Sequence, residues 1–230
     1  MKNLAIIPAR SGSKGLADKN IKELCGKPLM GYTIEAALNS GEFDTVMVST
    51  DSEKYAEIAK SLGAQVPFLR STDNSSDKAS SWDTVAEVLE TFEKEGKVFD
   101  TFCLLQPTSP LRGAEDIRGA YKTYAEKNAG FVVSVCELEH PLSWCGSIPE
   151  DMSLSGFIDR TGAGQRQQMG KTYRLNGAIY IADVGEFKKD RFVYREGAYA
   201  YVMSMKSSID IDNIEDFEYA GYLLDRDTSL

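Results

Sequence analysis

The stretch Pro8-Ala9-Arg10-Ser11-Gly12-Ser13-Lys14-Gly15, with Lys19-Asn20 just beyond, places three cations within ten residues of a chain whose formal net charge is -9. Gly12 and Gly15 let the backbone approach a ligand and turn its amides inward, as in an anion-binding nest. Arg10, Lys14 and Lys19 add the fixed charge that a triphosphate needs beside backbone donors. The loop follows Leu4-Ala5-Ile6-Ile7, a short apolar run of the kind that buried parallel strands show. Ligands of open α/β sheets bind beyond the carboxyl ends of such strands. The loop is neither G-x-x-x-x-G-K-[ST] nor G-x-G-x-x-G.

A second constellation is Ser208-Ile209-Asp210-Ile211-Asp212. In a strand, alternation puts Asp210 and Asp212 on one face and Ile209 and Ile211 on the other. Paired carboxylates beside a phosphate loop suit Mg²⁺, which takes hard oxygen ligands and needs only one or two carboxylates. The structural alternative is a helix N-cap, because Asp212 precedes Asn213-Ile214-Glu215 and acids are common there. The only histidine, His140, stands beside Pro141 and reads as a hinge residue. Cys25, Cys103, Cys136 and Cys145 have no C-x-x-C spacing, which leaves too few ligands for a zinc site. Cys103 and Cys136 sit in apolar runs and are expected as buried thiols.

The elements that must position these residues alternate. Apolar runs at Thr45–Thr50, Thr101–Leu105 and Phe131–Val135 read as further strands. Leu29–Leu38, Tyr55–Leu62, Val85–Phe92 and Ile117–Tyr124 have helical spacing. This rhythm predicts a three-layer αβα sandwich around a mostly parallel sheet. Residues 137–174 break it with Pro141, Pro149, glycines that include Gly146, Gly156, Gly162 and Gly164, and Gln165-Arg166-Gln167-Gln168. Such an insertion reads as an arm or lid that docks on something. Gly177–Ile181 and Ala200–Met203 return to strands, and Asn213–Asp225 is the last helix. The whole of 1–230 is read as one domain carrying that arm.

A pI near 4.8 argues against a nucleic-acid binder. No stretch approaches the length of a membrane span. The N-terminal apolar run ends at Pro8 without a cleavage site, so a cytoplasmic location is expected.

Taken in order, six segments resemble the acylneuraminate cytidylyltransferases. They are the loop 8–20, Val48-Ser49-Thr50-Asp51, Ser76-Asp77-Lys78-Ala79-Ser80-Ser81, Leu105-Gln106-Pro107-Thr108-Ser109-Pro110-Leu111-Arg112, Arg174-Leu175-Asn176-Gly177-Ala178-Ile179-Tyr180 and Ser208–Asp212. They spread over nearly the whole chain. The resemblance implies a Rossmann-like nucleotidyltransferase fold and a homodimer whose arm reaches the partner's site. It implies transfer of CMP from CTP to the anomeric hydroxyl of a nonulosonic acid, with pyrophosphate leaving and Mg²⁺ required. CTP would be held by Arg10, Ser11, Gly12, Ser13, Lys14, Lys19, Asn20, Arg70 and Ser80. Ser81, Gln106, Arg174, Tyr180 and Phe192 would form the sugar site, with Arg166 arriving on the arm. Lys19, Arg10, Asp212 and Asp210 would carry catalysis, the two acids as metal ligands.

The chain departs from the sialic acid type in two places. His140-Pro141-Leu142 is followed by Ser143-Trp144 where members often carry a Lys, and Phe192-Val193 stands where some have two aromatics. Both lie in the sugar region, so legionaminate, pseudaminate or a deaminated sialic acid stand beside N-acetylneuraminate as acceptors. Three other readings share parts of the pattern. A metal-dependent glycosyltransferase would use Asp210-Ile211-Asp212 as D-x-D. A non-catalytic nucleotide-binding regulator would keep the fold alone. A Kdo cytidylyltransferase would have a different loop.

Overall fold

The computed structural model describes residues 1–12, 15–75, 80–158 and 170–227. Its centre is a six-stranded sheet. Strand β1 (Asn3–Pro8) lies between β4 (Thr45–Ser49) and β5 (Thr101–Leu104), parallel to both. Beyond β5 come β7 (Tyr173–Asp183), β6 (Phe131–Glu137) and β8 (Ala198–Met203), giving the order β4-β1-β5-β7-β6-β8. Strand β7 is antiparallel to both neighbours, and β8 runs parallel to β6. One reversed strand in six makes the sheet mostly parallel, as the rhythm of apolar runs predicts. A short antiparallel pair, β2 (Glu23–Leu24) and β3 (Lys27–Pro28), follows the first loop.

The parallel strands are apolar throughout because both faces are covered. Ala5, Ile7, Val46 and Val48 pack with α1 (Leu29–Ser40), α2 (Glu53–Ser61) and α4 (Ala114–Glu126). Leu4, Ile6, Met47, Phe102 and Leu104 pack on the other face with α3 (Ser81–Lys94) and α5 (Val184–Lys189). Cys103 and Cys136 are buried, as expected, while Cys25 and Cys145 are exposed. A third, small cluster joins Leu24, Leu29 and Ile211 to α6 (Ile214–Asp227) through Phe217 and Ala220.

From β1 the chain moves to β4 on one side and then to β5 on the other. That reversal opens a crevice at the carboxyl ends of β1 and β5, the place where doubly wound sheets bind ligands. Strand β7 passes this crevice with a register shift between Val133 and Val135 on β6. Gly177 takes φ +74 there and lies so close to Gln106 that a Cβ would stand 3.0 Å from its Oε1. A bulge with glycine lets the backbone approach that side chain.

Two corrections concern detail. Asp210 and Asp212 do not sit on a strand: Ser208–Asp212 leaves a 3₁₀ turn at Lys206–Ser208 and runs extended outside the sheet. Strand β7 begins earlier than its apolar run, at Tyr173, which pairs with Glu137 at the end of β6. Among the described residues, no helix is long and apolar enough to cross a membrane.

Candidate active site

Four stretches distant in sequence meet in the crevice around a cavity of about 320 Å³. From the first loop come Arg10, Gly15, Lys19 and Asn20. From the region between β4 and α3 come Arg70, Asn74, Ser80, Ser81 and Thr84. The turn after β5 gives Gln106, Pro107 and Thr108, and the segment before α6 gives Asp212. Among the described residues, three cations line the cavity against one carboxylate, the reverse of the net sign of the chain, which favours an anionic ligand.

Each cation has a neutral oxygen partner among the described residues. Arg10 donates through Nη1 to the Ser75 carbonyl at 3.3 Å, and Asn20 Nδ2 holds the Arg10 carbonyl at 3.0 Å. Arg70 is buried and donates from Nε to Ser49 Oγ (3.1 Å) and from Nη2 to the Ser49 carbonyl (2.6 Å). Burial pushes its pKa down to about 10, while Asp51 and Glu87 pull it back up, so it stays charged at neutral pH. Lys19 Nζ donates to the Ile211 carbonyl at 2.6 Å and lies 3.7 Å from Asp212 Oδ1. Helix α3 starts at the cavity. Ser80 is its N-cap, sharing a reciprocal capping box with Asp83, so the positive end of the helix dipole faces the same space.

Ser11 and Gly12 do not line the cavity. Ser11 instead gives its N–H (2.7 Å) and its hydroxyl (2.9 Å) to Asp51. Burial raises the Asp51 pKa, but these two bonds and the Arg70 charge outweigh it and hold the carboxyl below its ordinary value. Ser11 thus ties the loop to the end of β4. Ser13, Lys14 and Arg166 lie outside the described residues.

The carboxylates differ sharply. Asp212 is 81% exposed at its side chain. It is not the N-cap of α6. Asn213 Oδ1 accepts from the Asp216 N–H, and Asp216 Oδ2 accepts from the N–H groups of Asp212 and Asn213. The cap is satisfied without Asp212, whose side chain faces the cavity. Asp210 is half-buried, and its Oδ1 is buried with no hydrogen-bond partner among the described residues. Burial raises its pKa, with Asp212 and Asp216 adding to the rise and Thr108 and Lys19 opposing it. An orphaned carboxylate oxygen beside a second acid fits a hard divalent cation. No larger group of metal-binding side chains occurs among the described residues, so phosphate and water would complete such a shell. Between the two acids, Ile211 is wholly buried, and its N–H donates to the Thr108 carbonyl at 2.9 Å.

The residues expected at the sugar are split by the fold. Ser81 and Gln106 line the cavity. Tyr180 sits opposite Leu104 on β7, edge-on to Trp82 at 5.4 Å. Burial first, then Tyr194 and Asp210, push its hydroxyl up to about 12. Trp82 therefore packs within the protein. Phe192 is exposed and edge-on to Tyr194 at 5.7 Å, extending this aromatic group outward. Arg174 does not line the main cavity. Its Nη2 donates to the Ser208 carbonyl at 3.4 Å, and it lines a separate cavity with His140, Cys145 and Tyr219. His140, stacked on Trp144, likewise lines that second cavity and not the main one. Asp51, Asn74, Thr84 and Thr108 belong to the site and were not singled out by type or spacing; Asp51 and Thr108 lie within quoted motifs.

Residues 4–226 match the family described as cytidylyltransferase. The chain is 34% identical to the pseudaminic acid cytidylyltransferase of Campylobacter jejuni, over 97% of this chain and 96% of that one. It is 40% identical to the N-acylneuraminate cytidylyltransferase of Escherichia coli O18:K1:H7, covering 95% of itself and 51% of that relative, about half its length. Among solved structures, a CMP:2-keto-3-deoxy-manno-octonic acid synthetase complexed with CTP superposes with a TM-score of 0.75 at 15% identity, over 99% of this chain and all of the other. That likeness is one of fold.

Proposed function

The chain belongs to the cytidylyltransferase family, and from that premise we propose that it transfers CMP from CTP to the anomeric hydroxyl of a nonulosonic acid. The observation that carries the reading is the cavity itself. Arg10, Lys19, Arg70 and the start of α3 converge on it, and Asp212 lines it 3.7 Å from Lys19, with Asp210 two residues earlier in the chain. A triphosphate fits the first group. An acceptor hydroxyl fits between the phosphate and the Gln106 turn.

In the reaction the hydroxyl oxygen attacks the α-phosphorus. The bond from that phosphorus to the β-phosphate oxygen breaks, the hydroxyl proton is released, and pyrophosphate leaves. No protein nucleophile takes part. Arg10, Lys19 and Arg70 offset the negative charge that grows on the departing group, and a preorganised site does so without rearranging at the moment of reaction. Gln106 and Ser81 orient the sugar, with Tyr180 and Phe192 beyond them. Asp210 and Asp212 would hold Mg²⁺, which supplies charge neutralisation on phosphate oxygens.

The nonulosonic acid is supported by the two curated relatives, whose names carry such sugars. A homodimer is supported by the exposed Leu142, Ile148, Met152, Leu154 and Ile158 between β6 and β7, apolar surface that an arm would bury on a partner. Free thiols at all four cysteines agree with a cytoplasmic location.

The test offers CTP and Mg²⁺ with N-acetylneuraminate, legionaminate, pseudaminate or Kdo and follows pyrophosphate. Release with a nine-carbon sugar is expected. Release only with Kdo would replace the acceptor, and CTP binding with no release from any of the four would reject the transfer reading. Turnover of a nucleotide sugar instead of CTP would favour a glycosyltransferase.

A further inference from the structure

Arg112 is 1% exposed and does not reach the cavity surface. Its hydrogen bonds go to neutral oxygens. Nη2 donates to Thr33 Oγ1 at 2.7 Å and to the Gln106 carbonyl at 3.3 Å, while Nε and Nη1 have no partner among the described residues. Asp116 acts on it only through space. Burying a guanidinium without a hydrogen-bonded carboxylate is costly, and apolar replacement of buried ionic groups often leaves stability unchanged or improved. Stability alone therefore gives no reason for this residue.

Its placement does. Thr33 Oγ1 also donates to the Gln106 carbonyl, at 3.4 Å, so two side chains from below hold that one oxygen. Gln106 opens the turn whose next residues, Pro107 and Thr108, line the cavity with it. The Thr108 carbonyl accepts from the N–H of Ile211, the residue between Asp210 and Asp212. The Ile211 carbonyl accepts from Lys19. One clamp thus leads, through a single turn, to the sugar side, the carboxylate pair and the loop lysine.

We infer that Arg112 is a positioning residue, clamping the Gln106–Thr108 turn and so setting Gln106, Asp210 and Asp212 relative to Lys19. The inference rests on the cytidyl-transfer reading. CTP is gripped from the β1 and β4 side, which the clamp does not touch, so its loss should separate CTP binding from turnover.

The experiment compares wild type, Arg112→Met, Arg112→Lys and Thr33→Val by calorimetric CTP binding, steady-state pyrophosphate release and thermal melting. Arg112→Met is expected to bind CTP within about threefold of wild type. Its kcat should fall about 10- to 100-fold, as misplacement by about an ångström does, and its KM for the sugar should rise. Arg112→Lys, which keeps the charge and an N–H donor group without the guanidinium fork, should recover part of kcat. Thr33→Val should show the same split, smaller. A lowered melting temperature with wild-type kcat and sugar KM would overturn the inference. If Arg112→Met does not fold, Arg112→Lys and Thr33→Val decide by the same criterion. Wild type that releases no pyrophosphate would overturn the transfer reading and this inference together. Active wild type with unchanged variants would overturn this inference alone.

Discussion

Gly15 is where the phosphate loop touches the carboxylate segment, and Gly15→Ala tests whether that contact matters. Its φ is not in the left-handed region, so alanine meets no backbone strain there. It meets the Asp212 carbonyl oxygen, 2.5 Å from where a Cβ would stand, against 3.4 Å for ordinary contact. The loop and the segment must part by about 0.9 Å. Overpacking costs about 1–3 kcal/mol; an edge contact that can open belongs at the low end, near 1 kcal/mol. In a domain of this size that lowers the melting temperature by about 2–4 °C. The same displacement moves Asp212 away from Lys19 and Arg10. A shift near 1 Å costs about 100-fold in rate, or about 2.7 kcal/mol of transition-state stabilisation. The assay is pyrophosphate release at saturating CTP and sugar, beside thermal melting. Gly197→Ala is the control. Gly197 has φ +82 and no atom within 4 Å of the new Cβ, so alanine costs backbone strain of about 1–2 kcal/mol and leaves kcat unchanged. Gly15→Ala with wild-type kcat and KM would refute the reasoning, because the loop and the carboxylates would then work independently.

Two further outcomes are expected. Asp212→Ala should lose nearly all turnover while melting within about 2 °C of wild type, since an exposed side chain adds little to stability; removal of divalent metal from wild type should give the same loss, reversed by Mg²⁺, and activity that survives both treatments would remove the metal assignment. Asp51→Asn should destabilise the protein at neutral pH by about 1–2 kcal/mol through its weakened bonds to Ser11. The Asp51 pKa is lowered on folding, so its contribution is full above the ordinary carboxylate value and disappears as pH falls through the lowered one. Melting curves of variant and wild type should converge in acid, and a gap that persists there would contradict the linkage.

Much of the layout was legible in local patterns. Apolar runs and helical spacing report burial of nearby residues, so the strands at Leu4, Thr45, Thr101 and Phe131 and the helices between them follow from the chain directly. The phosphate loop was legible because its glycines and cations are contiguous. The carboxylate pair was legible as a pair, but its setting was not. Alternation suggested a strand, whereas Ile211, buried against Leu24, Leu29 and α6 and bonded to Thr108, draws the segment out of the sheet. The N-cap question about Asp212 was likewise open until Asn213 and Asp216 were seen to satisfy the helix start.

What the sequence determined by itself is the class of fold, the chemistry of the loop and the presence of two acids two residues apart. That Lys19, Arg70, Gln106 and Asp212 line one cavity is set by tertiary structure alone, because strand order depends on pairings between distant segments. Tertiary structure also separated residues alike in type. Arg70 forms the buried floor of the site, Arg174 faces another cavity, and Arg112 lies beneath the Gln106 turn. An arginine in a loop carries no local mark of which it will be. Burial and hydrogen-bond partners are set by packing across the chain, and no local period encodes them.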